Sequence, residues 1–227
     1  MPLITKAIRK YIIKKDIYKV IGSSLASCEN CIIWGTGFIR YSDRVKKKPK
    51  KICAVRGQLS RKILLNQNIK CPNIVGDPAL LYPRFYKPKI KKKYKIGFVP
   101  HFRDKTDFNL IKKFNQFLNS ENIVIDIEQE TNKFVDQINS CECIASSSLH
   151  GIIASDAYGI PSIWIKPSDN PLGDGFKFYD YFSSVNRKCD PLIIKTSTKL
   201  SNIQNAFKDY TIDIDLDLLY ESCPFRK

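Results

Sequence analysis

The stretch CECIASSSLHGIIASDAYGIPSIWI, residues 141–165, decides the fold. It opens on a short apolar run (Cys141–Ala145), passes three serines, and continues with small and apolar residues over Leu149–Tyr158. Gly159 and Pro161 then punctuate the chain before a second apolar run, Pro161–Ile165. Strand, helix and strand in immediate succession form a βαβ unit, because parallel strands need a crossover that a tight turn cannot supply. Helices cover both faces of such a sheet, so its strands read as continuous apolar runs rather than alternating ones.

Working outward, the same alternation predicts strands at Tyr94–Val99, Ile123–Ile127 and Leu192–Ile194, and helices at Phe108–Leu118, Lys133–Ser140, Phe178–Ser184 and Thr198–Lys208. Toward the N-terminus the strand candidates are Lys19–Gly22, Cys31–Trp34, Lys51–Val55 and Asn73–Val75, with a helix over Gln58–Asn66. Segment 84–93 is rich in Pro and Lys and has no periodicity, which marks a linker. The expectation is an α/β protein with an N-terminal Rossmann-like lobe over residues 1–86, incomplete in its strands, a linker at 87–93, and a complete C-terminal lobe over 94–227.

A chain of 227 residues buries a real core, and no run approaches the ~20 apolar residues that span a bilayer. Ile4, Ala7, Ile8, Tyr11 and Ile12 fall at helical spacing opposite Lys6, Arg9 and Lys10. A basic amphipathic helix of this kind packs on its own domain or rests on a membrane surface, which leaves peripheral membrane association open. Leu25-Ala26-Ser27-Cys28 has the form of a lipobox, but Lys14, Lys15, Asp16 and Lys19 interrupt the apolar run that a lipoprotein signal needs.

The net charge of +16 points to nucleic acid, an anionic membrane or acidic small substrates. Nucleic acid is set aside: the lysine runs at 46–51 and 87–95 lack interleaved aromatics, and no DNA- or RNA-binding signature is present. The eight cysteines form one CxxC (Cys28, Cys31), one CxC (Cys141, Cys143) and scattered singles, with neither histidine at ligand spacing. That pattern predicts reduced thiols, no metal site and a cytoplasmic protein.

Sheets of this kind bind ligands at the carboxyl ends of their strands. The junction Ser146-Ser147-Ser148-Leu149-His150-Gly151 follows an apolar strand and opens a helix, where hydroxyls and free N–H groups make an anion site. An N-cap accounts for one serine and not for three followed by His. The other histidine, His101, also follows a strand, and imidazole suits proton transfer near neutrality. Arg56 stands between a strand and a helix start, placed to hold a carboxylate or phosphate. Trp34-Gly35-Thr36-Gly37 permits close approach of a ligand or backbone, Asp77 is placed to cap the turn after it, and Lys177 lies beyond the Gly-rich loop at 170–175 within reach of a cleft. The chain contains no Walker, HExxH, nucleophile-elbow or dinucleotide glycine motif.

Taken in order, IIWGTGFI (32–39), AVRGQLSRKIL (54–64), VGDPALLYP (75–83), IGFVPHFRD (96–104), SSSLHGIIASDAYGIPSIWI (146–165) and DGFKFYDYFSS (174–184) resemble the polysaccharide pyruvyl transferase family. The resemblance implies two Rossmann-like lobes of the glycosyltransferase-B type, the first one shortened here. It implies transfer of a pyruvyl group from phosphoenolpyruvate onto a glycan or a lipid-linked sugar as a ketal, with no cofactor, in the cytoplasm or at the inner face of the membrane. By position, His150 matches the family's general acid. Arg56 matches an arginine that holds the donor, Ser148 and Leu149 fall in the donor-contacting stretch, and His101 and Lys177 are expected to bind substrate beside them. Two features depart from the family's pattern. Ser148 stands where many members carry Arg, and the opening strand with its Asn-Phe-Gly-Asp-like loop is not seen. The alternatives are a glycosyltransferase of the same two-lobe type that uses a nucleotide sugar, and an inactive carbohydrate-binding relative.

Overall fold

A computed structural model describes residues 16–104, 107–169 and 172–225. The amphipathic pattern over residues 4–12 lies outside the described residues. The chain is α/β with two parallel sheets. The first holds β1 (Ile17–Lys19), β2 (Cys31–Trp34) and β3 (Lys51–Ala54) in that order, with helix α1 (Gln58–Leu65) following β3. The strand expected at 73–75 is reduced to one parallel bridge, Val55 to Val75. Pro72 has no N–H to donate, and Gly76 (φ 141°) turns the chain away at once.

The second sheet comprises β4 (Tyr94–Val99), β5 (Asn122–Val124), β6 (Cys141–Ser146), β7 (Ser162–Lys166) and β8 (Leu192–Ile193), all parallel, in the order β5-β4-β6-β7-β8. Its helices are α2 (Phe108–Asn115), α3 (Thr131–Asn139), α4 (Leu149–Ala157), α5 (Phe176–Phe182), α6 (Leu200–Gln204) and α7 (Leu216–Glu221). β7 is buried up to its last residue and β6 from Ile144 to Ser146, as crossover strands covered on both faces must be, with Glu142 the exposed residue near the start of β6.

Two elements tie the halves together. Helix α5 sends Phe176 into the core of the first sheet and Phe178, Tyr181 and Phe182 into the core around α4. Helix α7, which no sequence pattern announces, returns to the first sheet: Leu219 is buried against Ile32, Trp34 and Ala54, and the Trp34 indole N–H donates to Leu219 O at 3.2 Å. Segment 85–93, between the sheets, carries no helix or strand. Among the described residues no helix is long and apolar enough to cross a membrane.

The cysteines depart from expectation. Cys28 and Cys31 are joined, their Cα atoms 5.8 Å apart across the turn that feeds β2, and the other six are free. Those Cα positions lie within disulfide reach because the chain bends back between a 3₁₀ turn (Leu25–Ser27) and the strand. Burial pushes the Cys71 and Cys141 thiols up to about 11 and Cys143 up to about 12, so none of these three is a thiolate near neutrality. Thiol titration of the denatured, unreduced protein is expected to count six thiols, not eight; eight would show that the CxxC pair is open.

Candidate active site

The strand order places the site. From β4 the chain crosses to β5 on one side and then to β6 on the other, so the connections leave opposite ways and open a crevice at the carboxyl ends of β4 and β6. His101 follows β4, and Ser147, Ser148, Leu149 and His150 follow β6. Of these, His101, Ser148, Leu149 and His150, together with Arg103, Lys177 from α5, and Gly22 and Ser23 past the end of β1, line one cleft of about 370 Å³. The carboxyl ends of both sheets therefore meet at the same cavity.

Each serine has its own task. The Ser146 hydroxyl donates to Val99 O at 3.0 Å and accepts from Ser148 N–H, locking the ends of β4 and β6 side by side. The Ser147 hydroxyl donates to Asp104 at 3.0 Å and accepts the His101 N–H at 2.9 Å. Asp104, 1% exposed, also accepts from Ser168, so a buried carboxylate organises the loops after β4, β6 and β7. Asp104 was not foreseen as a site residue, its only signal being the acid that closes the HFRD turn, and Ser147, expected to offer its hydroxyl to an anion, spends it on Asp104 instead. Ser148 is the helix N-cap, yet its hydroxyl bonds to no helix N–H, which leaves it and the first N–H groups of α4 facing the cleft.

His101 and Lys177 are in contact, Nε2 to Nζ at 3.1 Å. Burial, with Lys177 and Arg103 alongside, pulls the His101 pKa down to about 4, so the ring is neutral near pH 7. Burial, with Arg56 next, lowers Lys177 to about 8. The two contacts of the ring call for opposite tautomers. Accepting Arg103 N–H at 3.3 Å needs a bare Nδ1, and Nε2–H then donates to an uncharged amine. An ammonium at Lys177 instead needs a bare Nε2 and moves the ring proton to Nδ1. The charge of Lys177 and the tautomer of His101 are thus one variable.

His150, one-third exposed at the start of α4, points its Nε2 at the Asp77 carboxylate, Oδ2 at 3.6 Å. Asp77 is fully buried, and its other oxygen accepts Ala79 N–H at 3.0 Å, the cap expected from the sequence. Among the described residues, Asp77 Oδ2 and His150 Nε2 are the buried side-chain polar atoms without a hydrogen-bond partner. They face each other about half an ångström beyond bonding distance, so a small ring movement joins them. Asp77 comes from the end of the first sheet and His150 from the second, a pairing that no sequence spacing could reveal.

Arg56 lies beneath the cleft floor and does not line it. It is fully buried and bonds Asp180 of α5 through Nε at 2.9 Å, with Nη1 donating to Ser23 Oγ at 2.6 Å and Nη2 to Phe38 O. Asp180 also accepts the Ser60 N–H and hydroxyl, at 2.7 and 2.6 Å. A Cβ at Gly37 would fall 2.6 Å from the guanidinium carbon, and one at Gly57 would fall 1.7 Å from Asp180 O. The glycines on either side of Arg56 are there so that this ion pair can close. Of the expected site residues, His150, Ser148, Leu149, His101 and Lys177 converge on the cleft, while Arg56 reaches it through Ser23 and Gly22.

Comparison with known proteins identifies the family. The chain is 32% identical over 218 residues to the uncharacterized protein L143 of Acanthamoeba polyphaga mimivirus, covering 89% of this chain and 72% of that protein. No solved structure matches it. The profile of the polysaccharide pyruvyl transferase family matches residues 12–169, from ahead of β1 to just past β7, and takes in Arg56, Asp77, His101 and the Ser148–His150 turn. The chain belongs to the polysaccharide pyruvyl transferase family.

Proposed function

We propose that the protein transfers the pyruvyl group of phosphoenolpyruvate onto a sugar of a polysaccharide or its lipid-linked precursor, as a ketal, within two lobes of glycosyltransferase-B type. The observation that carries this reading is a histidine at a helix start, opening on a cleft that also holds Arg103, Lys177, an uncommitted serine hydroxyl and free helix N–H groups. Phosphoenolpyruvate is a trianion when fully ionised, and these groups suit its phosphate and carboxylate.

In the reaction His150 gives a proton to the CH2 carbon, and C2 becomes electrophilic. Its Nε2 is buried against Asp77, so the transferable proton is the one on Nδ1. A sugar hydroxyl forms an O–C bond at C2, the bond from C2 to the phosphate oxygen breaks, and a second hydroxyl closes the ketal. Of the two hydroxyl protons, one restores His150 and the other leaves on phosphate. Asp77 supplies the negative charge that an imidazolium at a helix N-terminus otherwise lacks. Ser148, Leu149 N–H, Lys177 and His101 hold the donor, and the Arg56–Asp180 pair holds Ser23 and Gly22 in place opposite them.

The test is phosphate release from phosphoenolpyruvate in the presence of galactosides, mannosides and lipid-linked sugars. Acceptor-dependent release is expected. Turnover of a nucleotide sugar with none of phosphoenolpyruvate would overturn the reading in favour of a glycosyltransferase.

Donor binding should also depend on pH through Lys177. The free amine loses its proton above about pH 8, while a bound trianion favours the ammonium, so above that pH binding takes up a proton. Affinity for phosphoenolpyruvate is expected to be level between about pH 7 and 8, where the donor is ionised and Lys177 still charged, and to weaken above pH 8, by up to about tenfold per pH unit. Lys177→Gln should bind more weakly below pH 8 and lose this alkaline dependence. An unaltered profile in the variant would remove Lys177 from the donor site.

A further inference from the structure

His150 has a second side. Beyond the cationic cleft it lines another cavity of about 360 Å³, whose wall includes Ile21, Tyr82, Phe134 and Tyr158, with Gln129 and Thr131 as its polar groups. Ile127 and His150 belong to both cavities, so the two adjoin at the imidazole ring. Their chemistry is opposite. The cleft carries Arg103, Lys177 and Glu128, whereas among the described residues no Lys, Arg, Asp or Glu lines the second cavity. The Tyr82 hydroxyl is committed to Asn132 at 2.7 Å and that of Tyr158 to Tyr86 O at 2.7 Å, so these residues offer ring surface more than hydroxyls.

We infer that this second cavity is the acceptor subsite and that it takes an uncharged pyranose, stacked on the Tyr82 and Tyr158 rings with its hydroxyl-bearing edge toward His150. The inference rests on the pyruvyl-transfer reading for the identity of the second substrate. In the proposed reaction His150 gives its proton to the donor and regains one from an acceptor hydroxyl, so both substrates approach its ring, and the anionic donor claims the cationic side. The remaining approach to His150 is apolar and aromatic with two amide or hydroxyl groups, which complements the C–H face and polar rim of a sugar ring. A volume near 360 Å³ lies within the roughly 300–1,000 Å³ of small-ligand sites. A uronic or sialic acid would bring its carboxylate to walls that carry no Lys or Arg among the described residues, so its one charged neighbour would be His150, whose proton the reaction needs.

The experiment titrates the full chain with methyl galactoside, methyl mannoside and methyl glucuronide by saturation-transfer NMR, and with phosphoenolpyruvate by calorimetry. Ala154→Trp fills the cavity from α4. Thr131→Trp, at an exposed position, blocks it without entering the core. The expected result is at least a tenfold loss of neutral-glycoside affinity in both variants, with phosphoenolpyruvate affinity within twofold of the parent. Should Ala154→Trp fail to fold, Thr131→Trp alone decides. Unchanged glycoside binding, stronger binding of the glucuronide than of the neutral sugars, or no glycoside binding by the parent protein would each overturn the assignment. If glycoside binding is lost in the variants while the parent protein does not bind phosphoenolpyruvate, the subsite stands and the donor reading falls.

Discussion

Replacing His150 by Gln is expected to lower turnover by roughly 10²–10⁴-fold, the usual range for removal of a general acid. Phosphoenolpyruvate affinity should stay within a few-fold, because the remaining donor contacts come from Ser148, the N–H groups of α4 and Lys177. The alternative acid, His101, is held near pKa 4 by burial and two neighbouring cations, so at neutral pH it has no acidic proton of the right strength to give. His101→Gln should therefore weaken donor binding more than it slows chemistry. Asp77→Asn, which leaves the Ala79 cap an acceptor oxygen but removes the charge facing Nε2, should lower kcat by less than the roughly 10²–10⁴-fold of a lost general acid, with a small change in KM for the donor. Normal turnover in the His150 variant with loss in the His101 variant would reverse the assignment. Full activity in both would make the histidines structural.

The largest expected effect on stability is at the buried ion pair. Asp180→Ala removes the partner of a guanidinium that has no access to water, and breaking a buried pair from one side costs about 3–5 kcal/mol. At roughly 2–4 °C per kcal/mol for a chain of this size, Tm should fall by about 6–20 °C. Replacing both partners by apolar residues, Arg56→Met with Asp180→Leu, should cost less than either single change, since no uncompensated charge remains. A shift under about 2 °C in Asp180→Ala would mean that water or another residue satisfies Arg56. Arg56→Lys tests the same pair from the other side. One ammonium cannot serve Asp180, Ser23 and Phe38 O together, so stability and the Ser23 wall of the cleft should suffer jointly.

The sequence determined by itself those features that depend on local order. Continuous apolar runs bounded by Gly and Pro located β4, β6 and β7 to within a residue or so, because covered parallel strands tolerate few polar side chains. The run of serines before Leu149 marked a helix start at a strand end, and the parallel alternation directed attention to that end, where Ser148, His150, His101 and Lys177 do line one cleft. The short α7 escaped notice because its six residues are too few for a periodic pattern, and its burial depends on a sheet nearly 200 residues earlier.

Only the tertiary structure decided what each polar residue is for. A lone Asp after a strand and a lone Arg before a helix look alike in sequence, whether they face a ligand or a core. Asp77 read as a cap, and it is one, but its second oxygen meets a histidine 73 residues onward. Arg56 read as a cleft arginine, and it is instead spent on an aspartate 124 residues away. Both outcomes rest on side chains brought together by the crossing of two sheets. There the cost of burying a charge is met only when its partner arrives, and neither strand pattern nor spacing carries that information.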